Sequence, residues 1–210
     1  NAYALAHGFV AARFAAETGI QPVRIFLEAN MGGDKKPSYA FFQHPGHGKV
    51  VHAEISIPRT ILRRVLRVDP SALLALEHAG IHGAHASGMQ SFAFTPASVV
   101  AAIYAATGQD LGMVGTSSMA QVSVSATEDG VHFSMRFSGL EVGTIGGGTS
   151  LPHAASYLKM LDCWGEGKVY RFAQIIAATA ICLEVSASAS MATQGSKNFV
   201  DAHLERGGVR

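Results

Sequence analysis

Three consecutive glycines, Gly146 to Gly148, stand between an extended apolar run that ends at Val142 and a stretch of helical character that starts at Pro152. Adjacent residues without a β-carbon lose much conformational entropy on ordering, so they are kept where the backbone must turn sharply or be approached closely. The order strand, glycine turn, helix brings backbone N–H groups and a helix N-terminus together, an arrangement that favours a phosphate or other anion. It serves equally as a bare bend packing strand against helix, and its spacing is not the dinucleotide fingerprint of the Rossmann folds.

The segments around this turn mix helix and strand. Val122 to Ala126 and Val131 to Phe137 alternate on either side of Glu128-Asp129-Gly130, which predicts a β-hairpin. Thr95 and Pro96 read as N-cap and first turn of a helix over Ser98 to Thr107, with Val99, Ile103 and Ala106 on one face and Gly108 as its stop. Lys49 to Ser56 reads as a strand leading into a helix at Pro58, with Ile61, Leu62, Val65 and Leu66 inward and Arg59, Arg63, Arg64 and Arg67 in solvent. Further helices are predicted over Ala4 to Glu17, Pro152 to Cys163, Tyr170 to about Met191 and Ser196 to Glu205, and a strand over Val23 to Ala29. Asn30 to Pro37 has no apolar period and is expected to be a loop.

With 48% apolar and 15% charged residues among 210, the chain can bury a large core, as one domain or a domain with a piece of another. A net charge of +1 carries no basic excess to suit nucleic acid or an anionic membrane, which leaves small molecules as the expected ligands. Ala173 to Thr193 is long and apolar, but Glu184 and three serines make it a helix packed inside a protein and not a membrane span. Cys163 and Cys182 fit no metal or disulfide spacing and read as small buried hydrophobes in a reducing compartment. No initiator Met or leader pattern precedes Asn1, so the chain reads as a fragment.

Lys35 lies in a Gly-rich loop, Asp110 follows a helix stop, and His203 falls in the last helix. Taken alone, each has an ordinary explanation: a solvated cation, a turn residue, a surface imidazole. The other histidines read in the same way.

Taken together, Asp34-Lys-Lys-Pro37, Gly46 to Pro58 (GHGKVVHAEISIP), Ala101 to Asp110 (AAIYAATGQD), Val114 to Ser117 (VGTS) and Leu140 to Pro152 (LEVGTIGGGTSLP) resemble 3-hydroxy-3-methylglutaryl-coenzyme A (HMG-CoA) reductase, in this order and over nearly the whole chain. The resemblance implies reduction of HMG-CoA to mevalonate by two hydride transfers from NADPH, the Asp-Lys-Lys-Pro form being similar to the NADPH-using class. It implies that Lys35 holds the thioester carbonyl oxygen, that Asp110 lies in the network beside it, and that His203 protonates the departing thiolate. Ile145, Gly146, Gly147, Gly148 and Thr149 are then expected to contact the cofactor, with Asn1 as the last residue of an upstream cofactor motif. Asp34, Lys36 and Asn30 are expected on the substrate side, and no metal is implied.

These residue types fit the chemistry independently. Hydride addition puts negative charge on a carbonyl oxygen, which a fixed cation in a water-poor site stabilises strongly. Expulsion of a thiolate is helped by an acid that titrates near neutrality.

The implied architecture is α+β: residues 1–29 finish a ferredoxin-like NADP-binding domain, 30–37 form a connecting catalytic loop, and 38–210 form the C-terminal part of a helix-rich substrate-binding domain. The expected state is a cytoplasmic homodimer or larger assembly with active sites between subunits. The family's catalytic glutamate and a substrate-binding arginine are expected upstream of Asn1, so that these 210 residues alone are expected to be inactive. Glu77-His-Ala-Gly80 replaces the Asn-Lys-Asn stretch common in the family before the central helix, Ser98 replaces an asparagine, and Met113 lies near another. These departures leave open a reductase for a different acyl-CoA, or a non-catalytic CoA- or nucleotide-binding homologue. No serine follows His203 within these 210 residues, so the phosphorylation switch that some members carry there is not expected to operate.

Overall fold

Four aromatic side chains and one thioether set the centre of the protein in the computed structural model, which describes residues 2–22, 24–25, 35–38, 47–193, 199–201 and 204. Phe133, Met135 and Phe137 point inward from one strand and meet Phe172 from a long helix, with Tyr104 beside them, all fully buried. Full burial of each stabilises by roughly 1.5–3 kcal/mol, which makes this cluster the main source of cohesion.

The chain divides into two compact units, Asn1–Asp34 and Lys35–Arg210. In the first, α1 (Ala2–Thr18) ends where Gly19, at φ 70°, donates its N–H to Ala15. Leu5, Phe9 and Phe14 are exposed along it. Arg24 and Ile25 carry no regular structure, and the rest of the strand expected over Val23 to Ala29 lies outside the described residues.

The second unit is α+β. Its sheet has the order β1 (Lys49–Pro58), β3 (Gly130–Leu140), β2 (Ala120–Thr127), antiparallel throughout. β2 and β3 form the expected hairpin, closed by Glu128 and Asp129. Among the described residues the longer helices beside it are α2 (Pro70–Ala86), α3 (Pro96–Thr107), α4 (Pro152–Met160) and α5 (Val169–Ala192). α5 has the length and composition of a membrane span, yet it runs against β1, β3, α2 and α3. Its alanines 173, 177, 180 and 189 are buried there, small enough to let neighbouring elements come close.

Several details differ from the sequence reading. Arg59–Ile61 is a single helical turn followed by a π-wound turn, Leu62–Leu66, closed by Arg67 in the left-handed region. The wider winding turns Leu62 and Leu66 toward the core and leaves Ile61 and Val65, each one position off that face, exposed. Glu77 to Gly80 precede α3 as expected, but lie inside a helix of their own, α2; Asp69 caps it through Ser71, and Pro70 starts it. Cys163 is buried as expected, but Cys182 is exposed, because it lies about 100° round α5 from Ile181, off the face that Ile181, Glu184 and Val185 bury. Of the last predicted helix, Phe199 to Asp201 and Leu204 are helical and the remainder lies outside the described residues.

The start of α3 is not capped by Thr95 itself. Glu184, fully buried in α5, accepts hydrogen bonds from the backbone N–H groups of Phe94 and Thr95 (both 2.9 Å) and from the Thr95 hydroxyl (2.6 Å). A carboxylate at a helix N-terminus satisfies orphan donors and opposes the helix dipole. Glu184→Leu, which fills the space but accepts nothing, is expected to lower the unfolding free energy by roughly 2–4 kcal/mol. In urea denaturation Glu184→Gln should lose markedly less; equal losses would show that volume, not hydrogen bonding, is what Glu184 supplies.

Candidate active site

α3 aims its C-terminus at the glycine-rich turn. Gly108 ends the helix at φ 67°, a left-handed conformation that a β-carbon would strain. Gln109 and Asp110 follow, and Asp110 starts a short 3-10 turn, Leu111–Met113, with its Oδ1 accepting the N–H of Gly112 at 2.8 Å. Its other oxygen, Oδ2, lies 2.9 Å from the Lys35 ammonium. One oxygen therefore fixes the carboxylate to its own loop while the other holds the cation.

Lys35 itself sits at φ 59°, uncommon for a residue with a side chain. Its stem runs over Gly112, where an added β-carbon would lie 3.0 Å from Lys35 Cδ and 3.1 Å from Asp110 Oδ1. Gly112 thus makes room for the lysine, a role the sequence reading did not assign; a glycine two places after a capping aspartate is the signal that was there to use.

The hydrogen bond from Lys35, and next the one from the Gly112 backbone, hold the Asp110 carboxyl below its ordinary value of 3.8. A depressed carboxyl contributes its stabilisation above the unfolded pKa and loses it as the pH falls through the lower folded value. The pair is accordingly expected to persist below pH 3.8. Carbon-detected NMR titration should place the Asp110 midpoint under that value and show it rising in Lys35→Ala; an unmoved midpoint would mean that the pair does not form in solution.

Beyond β3, the chain passes Glu141 and Val142 into the turn. Gly146 and Gly147 have φ 76° and 52°, and no heavy atom lies within 4 Å of where a β-carbon would stand on either, so both expose bare backbone. A 3-10 turn, Gly147–Ser150, leads into α4. Thr149 is buried and donates its hydroxyl to Gly146 O (2.6 Å), bracing the turn from within, while Ile145 is exposed.

The two loops interlock through backbone. A β-carbon on Gly108 would fall 2.2 Å from Gly148 O, and one on Gly148 would fall 2.3 Å from Gly108 O. Asp110 and the segment Ile145 to Thr149 consequently share one cavity of about 680 Å³, with Lys49, Met113 and Glu141 also in its walls. Lys49 and Glu141 were not singled out from sequence; read as the start and end of strands, they gave no sign that they face one space. Lys36 is exposed, and Asn1, Asn30, Asp34 and His203 lie outside the described residues. Among the described residues no three or more His, Cys, Asp or Glu gather as metal ligands.

A family model described as hydroxymethylglutaryl-coenzyme A reductase matches residues 4–207. Similar proteins include the 3-hydroxy-3-methylglutaryl-coenzyme A reductases of Halobacterium salinarum, 32% identical over 87% of this chain and 46% of that protein, and of Aeropyrum pernix, 34% identical over 89% and 45%. The enzyme of that name from Methanothermobacter thermautotrophicus is 30% identical over 91% of this chain and 47% of its own length. The chain spans about half the length of these curated relatives. A match over nearly all of its residues shows that the chain belongs to the hydroxymethylglutaryl-coenzyme A reductase family.

Proposed function

We propose that the complete natural protein reduces the thioester of HMG-CoA to mevalonate with two equivalents of NADPH. The observation that carries this reading is the Lys35–Asp110 pair, 2.9 Å apart, beside a cavity walled by the bare backbone of Gly146 and Gly147. Its membership of the reductase family, and the names of the relatives, point the same way.

The glycine turn fits a flat nicotinamide group, because Gly146 and Gly147 offer backbone without side chains and their β-carbon positions are open. When bound, NADPH supplies the hydrides. Lys35 is proposed to hold the thioester oxygen and to balance the negative charge that develops there, and Asp110 to keep the ammonium charged and aimed. When the carbon–sulfur bond breaks, the electron pair leaves on sulfur, and His203 is proposed to give that thiolate its proton. Asn30, Asp34 and Lys36 are proposed substrate contacts, and Asn1 a cofactor contact.

In this reading residues 1–29 close a ferredoxin-like NADP-binding domain, 30–37 connect, and 38–210 bind CoA, with sites completed between subunits of a homodimer or larger assembly. The complete protein should oxidise two NADPH per HMG-CoA consumed, followed by loss of the reduced-nicotinamide absorbance. No oxidation with any acyl-CoA would overturn the assignment. A different acyl group is a second reading, motivated by Glu77 in α2, where the family commonly reads Asn. A panel of acyl-CoA thioesters separates the two, and NADH in place of NADPH tests the cofactor.

A further inference from the structure

Between the last residue of β3 and the glycine run, Glu141 to Gly143 pair with no strand among the described residues, yet side chains from distant segments take up their backbone groups. Glu141 donates its N–H to Ser117 Oγ (3.0 Å), and its carbonyl accepts from the Tyr104 hydroxyl (2.5 Å). Val142 O accepts from the Lys49 ammonium (3.1 Å). Gly143 is gripped twice by one side chain: its N–H donates to Gln109 Oε1 (2.8 Å), and its carbonyl accepts from Gln109 Nε2 (3.0 Å). The same Nε2 also donates to Thr107 O (3.1 Å). Only one orientation of the amide satisfies all three contacts, since two of the partners are carbonyls and one is an N–H.

Gln109 therefore does for Gly143 what a neighbouring strand would do, reading donor and acceptor together. Its place in the chain gives this a consequence. The preceding residue, Gly108, abuts Gly148 at the far end of the turn, and the following one, Asp110, holds Lys35.

We infer that Gln109 is a positioning residue whose side-chain amide fixes the spacing between the nucleotide-facing glycine turn and the Lys35–Asp110 pair. This rests on the reading of the turn as a nicotinamide site. Gln109 touches neither substrate nor cofactor in this role; it acts through the backbone of Gly143.

The test uses the complete natural protein, with NADPH as the probe and its fluorescence change on binding as the signal. Gln109→Ala should bind NADPH about tenfold more weakly, and the Gly143 amide should exchange its hydrogen faster in the ligand-free protein. Gln109→Glu has the same shape and keeps the variant folded if the alanine is not tolerated, as thermal melting will report. As a carboxylate it cannot donate to Gly143 O, so binding should be weak at neutral pH. Once protonated, the carboxyl again offers Gly143 one donor and one acceptor, though not the second donor that the amide gives Thr107 O, and affinity should return in part as the pH falls. The charged groups nearby, Asp110, Lys35, Lys49 and Glu141, are common to wild type and variant, so the ratio of the two affinities is what is read. Unchanged NADPH affinity in Gln109→Ala, or a weak Gln109→Glu that shows no recovery at lower pH, overturns the positioning role. A wild type that binds no nicotinamide nucleotide sinks the functional reading and the inference together, and the wild-type arm tells that failure from the others.

Discussion

Lys35→Ala in the complete natural protein is expected to fold normally and to lose thioester reduction by roughly 10²–10³-fold in kcat, the scale on which removal of a preorganised charge stabiliser acts. Folding should survive because the Lys35 side chain is about half exposed (45%) and belongs to no core cluster. Its ion pair with Asp110 is open to solvent, where such pairs add little to stability. The loss should therefore appear in turnover and not in urea denaturation. Lys35→Arg is expected to restore little, since Gly112 leaves space for a narrow alkyl stem and a planar guanidinium presents its charge differently. Normal folding with most of the turnover retained would remove Lys35 from the mechanism, and the Asp110 pairing would then be a structural loop clasp.

What the sequence made legible is governed by how local each cause is. The hairpin, the stop at Gly108, the glycine turn and the long core helix follow from alternation, left-handed glycines and helical periodicity, which act within a few residues. α2 escaped notice because Gly80 and Gly83 and its four histidine and glutamate positions dilute the apolar period that marks a helix. Ile61 and Val65 were assigned inward on an α-helical spacing that a π-wound turn does not keep. The cap on α3 comes from Glu184, in another element altogether, so no inspection of Thr95 and its neighbours reveals it.

The candidate site divides in the same way. Asp110 and the glycines were visible as loop features, but nothing in their spacing brings Lys35 to Asp110, or Gly108 against Gly148; the resemblance to a family supplied the first, and only coordinates supplied the second. Lys49 and Gln109 were silent because their side chains act on the backbone of other segments, and Glu141 because its partners, Tyr104, Thr116 and Ser117, are distant in the chain. A sequence read as elements shows what each segment prefers, whereas a site of this kind is built from contacts between the ends of segments.

Gly148→Ala should lower stability and nucleotide affinity together, through close approach of backbone alone. The new β-carbon would meet Gly108 O at 2.3 Å, Gly108 C at 3.0 Å and Gly108 Cα at 3.1 Å, all of them backbone, so no flexible side chain can swing aside. Gly148 is not among the positive-φ residues, so an alanine there keeps an ordinary backbone conformation and the close approach alone is responsible. The two loops must then separate, loosening the hold of Gln109 on Gly143 and moving the turn away from Asp110. Overpacking of this kind is expected to cost roughly 1–3 kcal/mol in urea denaturation. The informative comparison is Gly147→Ala, whose β-carbon points into open space and whose only penalty is its left-handed φ of 52°. That penalty is about 1–2 kcal/mol and leaves the contact between the loops intact. If NADPH affinity falls in Gly148→Ala but much less in Gly147→Ala, the interlock of Gly108 with Gly148 governs the cavity; similar losses in both would mean that backbone freedom in the turn, and not its fit against α3, is what the glycines supply.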